Sequence, residues 1–343
     1  IHYKEKFPGR SVLVLERGVL PSGASTRNAG FACFGSLTEI LDDLEHSSEE
    51  EVFELIMKRR LGLEKIRSVF GDEALEYYPT GGYDLIRKED EGALEGMLKV
   101  NSLLRPIFGD EVFEVKGPKP FGFAENITQL VKNQFEGQLD PAKYLKCLWQ
   151  KCRALDVQVL TGAEVSHIDK ESCEVLVHSF YGEEIGFKGR LVAICTNAFA
   201  NQLVYGLDLK PGRGMIMLSK PINSFPWEGT FHMEKGYVYF RNVDNRLLIG
   251  GGRNIEEEEE TTDQRGINAH IETYLRELVE KTIFPLTPIE WDMEWSGTMA
   301  FGSRKKPIIQ MVNPRVGVGV RLGGMGVAIG WEAGKELVDL LVT

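Results

Sequence analysis

The segment Ser11-Val12-Leu13-Val14-Leu15-Glu16-Arg17-Gly18 constrains this 343-residue chain most. Four consecutive apolar residues bounded by polar ones read as a buried parallel strand, and an acidic residue closes it. In a dinucleotide-binding βαβ unit that acid takes the ribose hydroxyls, and it follows the glycine-rich phosphate turn by about 20 residues. Glu16 has fifteen residues before it, and no G-x-G-x-x-G occurs in the chain. The turn is therefore expected upstream of Ile1, on an extension of roughly 30 to 40 residues that completes the unit. Ile1 to Phe7 then reads as the tail of the crossover helix, stopped by Pro8-Gly9. Taken alone, such a strand is equally a buried strand with a solvated last residue.

The residues after the strand decide between these readings. Pro21 to Phe31 is a loop of small residues rich in donors, suited to close wrapping of a cofactor. Its Ser25, Asn28, Ala29 and Gly30 resemble the Ser-x-x-Asn-Ala-Gly pattern of the D-amino-acid oxidase-like superfamily of FAD-dependent oxidoreductases, which includes glycine, sarcosine and γ-glutamylputrescine oxidases. Further along the chain, Gly137-Gln138-Leu139-Asp140-Pro141 resembles the start of the helix before the adenine-contacting strand end Glu164-Val165. Leu191 to Ala198 resembles the strand and small-residue turn at the pyrophosphate. Pro211-Gly212-Arg213-Gly214 resembles the crossover into the substrate domain, and Tyr237 to Gly252 the floor of the substrate cavity. Gly319 to Ala328 resembles the glycine loop that cradles the flavin. The resemblance implies non-covalent FAD held by Glu16, Arg17, Ser25, Thr26, Asn28, Ala29, Gly30, Val165, Thr196, Asn197, Gly323, Gly324, Met325 and Gly326. The sarcosine oxidases tether their flavin through a cysteine, and the matching region Trp295 to Phe301 contains none.

Composition narrows the partners. A formal net charge of −11 disfavours nucleic acid and anionic membrane surfaces, and no apolar run is long enough to span a bilayer. The five cysteines are scattered without a C-x-x-C, which gives no metal site and suits reduced thiols in a cytoplasmic protein. The Glu256–Glu260 run is expected to be a solvated hairpin or the start of a helix. The resemblance implies a mixed α/β fold in which a glutathione-reductase-like Rossmann-type FAD domain (1–46, 138–209 and 305–343) interleaves with an antiparallel-sheet substrate domain (47–137 and 210–304). Periodicity predicts helices opening after Ser47-Ser48 and over Lys88–Leu104, Pro141–Leu155, Arg265–Lys281 and Gly334–Leu341.

The chemistry implied is hydride transfer from the C–N bond of an amine or amino acid to flavin N5, with the protein supplying position, desolvation and charge. A 2-hydroxy-acid dehydrogenase, or a flavin-free non-enzymatic relative, are the alternatives. Amino-acid-oxidising members hold the substrate carboxylate with an arginine in a G-L-R-P segment, where this chain has Glu294-Trp295-Ser296-Gly297. Arg253 and Arg321 are therefore the candidate anchors, each weighed equally against a structural salt bridge, and Tyr239 and Trp295 are the candidate aromatic wall. Tyr237, Tyr239 and Arg241 share one strand face. His232 reads as a core histidine rather than an active-site base. No lysine occurs from Arg253 to Gln264, which favours a dehydrogenase over an oxygen-using oxidase. The sequence leaves the oligomeric state open.

Overall fold

A computed structural model describes residues 1–178 and 182–343. Its largest element is an eight-stranded sheet in the spatial order Trp291–Phe301, Lys210–Ser219, Arg246–Gly251, Val238–Val243, Thr230–Met233, Gly82–Arg87, Ile127–Asn133 and Phe113–Lys116. Every pair is antiparallel except Thr230–Met233 with Gly82–Arg87, which is parallel.

Alternation along these strands gives the sheet two unlike faces. Leu85, Leu130, Met215, Met217, Phe231, Met233, Val238, Phe240, Leu247 and Ile249 point to one face and bury it against the helix Ala269–Leu278 and a stack of aromatic rings. Phe231 and Phe240 lie parallel at 5.0 Å, with Trp227 edge-on at 4.6 Å to Phe231. Each such ring contributes roughly 1.5–3 kcal/mol by burial alone.

The other face carries the polar and aromatic residues. Cross-strand register aligns Trp295, Ile216, Gly250, Tyr239, His232, Asp84 and Val131 in one row across seven strands. Gly250 is in that row because a Cβ there would meet the Tyr239 ring at 2.8 Å.

The remaining strands form smaller sheets. Val12–Glu16 pairs in parallel with Val157–Thr161; lying in a sheet of two strands, it leaves Leu13 and Val14 exposed where burial was expected. Val192–Ile194 pairs in parallel with Val316–Val320, which also pairs antiparallel with Ile308–Asn313. Helix Glu49–Phe70 is N-capped by Ser48 and packs on the closing helix Gly326–Leu341 so tightly that a Cβ on Gly62 would lie 1.9 Å from the Ala328 carbonyl. No helix of the described residues is long and apolar enough to cross a membrane.

Three further expectations need correction. The helix expected over Arg265–Lys281 begins at Ala269, where Asn268 caps it with bonds to the His270 and Ile271 amides, and it loosens into a π turn over Val279–Ile283. The closing helix starts at Gly326, eight residues before Gly334. The acidic run is not wholly solvated: Glu260 is 1 % exposed and forms a two-pronged ion pair with Arg213 at 2.6 and 2.8 Å, while Asn268 donates to it at 3.1 Å. A charge-run pattern cannot show that one member meets a buried arginine from a distant strand.

Candidate functional site

The implied cofactor-binding segments lie along one continuous track. Glu16 closes its strand with Oε1 accepting from the Gly18 amide at 2.8 Å, and the Gly18 carbonyl accepts from Gly162 at the strand end leading to Val165. The Arg17 guanidinium lies 4.0 Å from the ring centroid of Phe199, in the turn that follows Thr196 and Asn197. Asn197 reaches on to the last segment, its Oδ1 accepting from the Arg321 amide at 2.9 Å and the Leu322 amide at 3.4 Å. Gly323 has φ +57°, and a Cβ on Gly323 or Gly324 would meet nothing within 4 Å, so this loop presents bare backbone to open space. Met325 then touches Cys33, sulfur to sulfur at 3.5 Å, which brings the track round to the loop before Phe31.

That loop is built by its own side chains. Asn28 donates to the Ala24 and Ser25 carbonyls and accepts from the Gly30 amide at 2.9 Å, folding 24–30 into a compact turn. Thr26 donates to the Pro21 carbonyl at 3.0 Å, and Ser25 is exposed. Gly30 has φ +73°, and a Cβ there would sit 2.2 Å from the Leu139 carbonyl, so this position requires glycine. These bare backbones, close approaches and the terminal carboxylate suit a dinucleotide, which needs amide donors and a ribose acceptor rather than bulk.

The loop packs against the polar face of the large sheet. Phe31 meets His232 at 5.1 Å and Tyr239 at 5.5 Å, both edge-on, and Trp295 Nε1 donates to the Arg27 carbonyl at 3.0 Å. Ala29, Ile216, Leu248, Tyr239 and Trp295 make one apolar cluster there. The sequence-predicted Tyr239 and Trp295 are thus brought together beside the cofactor loop.

The two candidate arginines stand elsewhere. Arg321 is 7 % exposed and donates to Asp208 Oδ2 at 2.6 Å and to the Asp208 and Lys306 carbonyls. Arg253 packs over the Phe301 ring at 4.2 Å and pairs with Glu257 at 3.5 Å.

Arg241, read from the sequence only as sharing a face with Tyr239, is 6 % exposed. It donates from Nε to the Ala29 carbonyl at 2.5 Å and from Nη2 to the Leu139 carbonyl at 3.4 Å, which joins the cofactor loop to the sheet. Burial holds its guanidinium below the usual arginine range, at about 10.

Sequence reasoning missed the acids beneath this site. Glu136 is 1 % exposed, and its Oε1 accepts from the Phe34 and Gly35 amides at 2.8 and 3.2 Å. Asp84 accepts from the Thr38 amide and hydroxyl at 2.8 and 2.7 Å. Burial pushes the Glu136 carboxyl up to about 8 and Asp84 up to about 6. The same desolvation pulls His232 down to about 4, leaving its imidazole neutral, and its Nε2 has no hydrogen-bond partner among the described residues. No sequence signal marks these groups, because their pairing with 34–38 spans 46 residues of chain for Asp84 and 102 for Glu136.

The model of the family described as "FAD dependent oxidoreductase" (DAO) matches residues 2–340. The chain belongs to that family. FAD is accordingly its cofactor, and the track from Glu16 to Gly30 fits it. No curated protein matches the sequence. Among solved structures, glycine oxidase from Geobacillus kaustophilus superposes with TM-score 0.76 at 18 % identity, covering 100 % of this chain and 90 % of that one. L-proline dehydrogenase from P. horikoshii gives TM-score 0.76 at 17 % identity, with 99 % and 88 % covered. L-alpha-glycerophosphate oxidase from Mycoplasma pneumoniae, solved with FAD bound, gives 0.75 at 16 %, with 100 % and 91 % covered. At these identities the likeness establishes the fold the sequence implied, a mixed α/β flavoenzyme architecture.

Proposed function

We propose that this chain oxidises an amine or amino acid, passing the hydride from the carbon that bears nitrogen to FAD. The observation that carries the reading is the row from Trp295 to His232, which faces the cofactor loop with two aromatic side chains and a neutral imidazole. Non-covalently bound FAD supplies the two-electron acceptor. Glu16 holds the ribose hydroxyls, the Asn28–Gly30 turn and the Gly323–Gly326 loop approach the cofactor through backbone, and Ser25, Thr26, Thr196, Asn197 and Val165 flank it.

Tyr239 and Trp295 wall the substrate and exclude water, so that a C–H bond can be aligned for transfer. As the hydride leaves, the nitrogen lone pair closes the C=N bond of an iminium product, which water then hydrolyses in solution. A neutral His232 favours binding of the uncharged amine, the form whose lone pair is free. The contacts of Arg253 and Arg321 favour the structural alternative for both: one braces Phe301 and the other ties the glycine loop to Asp208.

The purified protein is expected to show a flavin spectrum and to bleach anaerobically with a member of an amino-acid and amine panel. With no lysine between Arg253 and Gln264, peroxide is expected to form more slowly in air than an artificial acceptor is reduced. Bleaching by 2-hydroxy acids alone would replace the amine reading with the hydroxy-acid one, and protein that takes up no FAD would end both.

A further inference from the structure

Three buried polar atoms on the polar face of the large sheet have no hydrogen-bond partner among the described residues: His232 Nε2, Asp84 Oδ1 and Asn133 Nδ2. Their residues are 4 %, 2 % and 2 % exposed and line one cavity together with Ser36 and Glu136. A buried polar group without a partner is costly. The cavity is too narrow to seat a water molecule, so the three atoms are left to satisfy one another.

Strand register puts them within reach. His232 and Asp84 are direct neighbours on a parallel pair, and Asn133 stands opposite Gly82, the next residue on the same face as Asp84. The other atom of each polar group is already engaged. Asp84 Oδ2 accepts from the Thr38 amide and hydroxyl, which leaves Oδ1 free, and Asn133 Oδ1 accepts from the Phe135 amide at 3.0 Å, which leaves Nδ2 as a donor. Burial keeps Glu136 protonated up to about 8 and Asp84 only up to about 6, so at neutral pH Asp84 carries the negative charge of the cavity. One assignment then satisfies all three atoms: Oδ1 accepts from Asn133 Nδ2 and from an N–H on His232 Nε2. A neutral imidazole protonated there has its lone pair on Nδ1. Nδ1 is not sealed from solvent as Nε2 is, and the ring lies edge-on to Phe31 of the cofactor loop at 5.1 Å. His232 is thus a core residue by burial, as its sequence context suggested, but not by bonding.

We propose that Asp84 and His232 act as a dyad in which the carboxylate holds the imidazole proton on Nε2 and Nδ1 accepts an N–H of the substrate amine. Asp84 is the positioning residue and His232 the one that meets the substrate. The C–H pair leaves with the hydride, the nitrogen lone pair forms C=N, and the N–H bond stays intact. Positive charge grows on that nitrogen as the hydride departs, so the hydrogen bond to Nδ1 strengthens in the transition state, with the Asp84 carboxylate behind the ring. The substrate class that follows is a primary or secondary amine, because a tertiary amine has no N–H to offer. This consequence rests on the amine-oxidising reading, whereas the dyad does not.

Two measurements on the FAD-loaded protein test the proposal. Ring-nitrogen NMR of histidine-labelled protein, assigned with His232→Leu, is expected to place the His232 proton on Nε2 at neutral pH. Asp84→Asn must keep its carbonyl oxygen on the Thr38 amide and so turns its NH2 group to the ring, which is expected to move the proton to Nδ1. In anaerobic flavin reduction, glycine, alanine, proline and benzylamine are each compared with their N-methylated tertiary forms. The tertiary forms are expected to react at least tenfold more slowly in the native protein. In His232→Leu that gap should close to within threefold, through slowing of the N–H amines, and Asp84→Asn should slow the same amines at least tenfold. Should either variant fail to fold, the native tautomer and the native amine preference decide. A proton on Nδ1 in the native protein, or an unchanged tautomer in Asp84→Asn, would overturn the dyad. A tertiary disadvantage that persists in His232→Leu would show selection by size and overturn the role of Nδ1. A flavin that no amine reduces, in a protein with the Nε2 proton in place, would refute the amine reading and the substrate role with it, while the dyad stands.

Discussion

Replacing Glu136 with glutamine is expected to stabilise the protein, and increasingly so as the pH rises. Glutamine keeps the acceptor that serves the Phe34 and Gly35 amides and removes the ionisable oxygen, which lies where a Gly82 Cβ would be 2.1 Å away. In the native protein the carboxyl titrates at about 8 because burial, reinforced by Glu39 and Asp84, penalises its charge against an ordinary value of 4.5. Above 4.5 the unfolded chain has released this proton while the folded one retains it, so stability falls with rising pH until the folded group also ionises. At 1.36 kcal/mol per pH unit, the interval from pH 6.5 to about 8 accounts for about 2 kcal/mol. Starting at pH 6.5 keeps the measurement clear of Asp84, whose effect ends near 6, and of His232. The histidine acts in the opposite direction, because its depressed value makes stability fall as pH drops from 6.5 toward 4. Urea denaturation of both proteins at a fixed FAD concentration, from pH 6.5 to 9, reads the difference directly. Curves that stay parallel across this range would show that Glu136 is ionised in the fold and would refute the argument.

Two further substitutions test the cofactor track. Glu16→Gln should weaken FAD in a titration of the apo-protein, because a charge-assisted bond of about 1.5–3 kcal/mol becomes a neutral one of about 1 kcal/mol; an unchanged affinity would leave Glu16 as a strand terminus. Gly30→Ala should lower the melting temperature and FAD retention together, since the left-handed φ of +73° and a 2.2 Å contact with the Leu139 carbonyl must both be relieved, at a cost of at least about 1 kcal/mol; wild-type stability would show that the turn can rearrange freely.

Local pattern made the frame of this fold legible. The apolar run before Glu16, the Ser48 cap and the alternation of Val238, Tyr239, Phe240 and Arg241 are each set by neighbours within a few residues, and each forms the strand or helix end its pattern implies, although Leu13 and Val14 are exposed and Tyr237 precedes the strand. The site was legible only where family-like motifs run continuously along the chain, as at Asn28-Ala29-Gly30. Arg321 looked available because nothing adjacent in sequence neutralises it, yet Asp208, 113 residues away, does so. Glu136 and Asp84 escaped notice for the same reason: their partners arrive through tertiary packing, which leaves no periodic trace.

The row across the large sheet also bears on how such a protein can change its chemistry. A one-residue slip of Val238–Val243 would bury Tyr239 and Arg241 in the aromatic stack and turn Val238 and Phe240 toward the cofactor loop, so the apolar residues on one face fix the alignment of the polar ones on the other. Under the proposed function, substrate preference and folding are thereby written on opposite sides of the same strands. On that reading positions 239 and 295 can be randomised as a specificity library, since Ile216 and Leu248 between them are buried against Ala29, whereas a change at Phe240 or Ile249 would shift both at once.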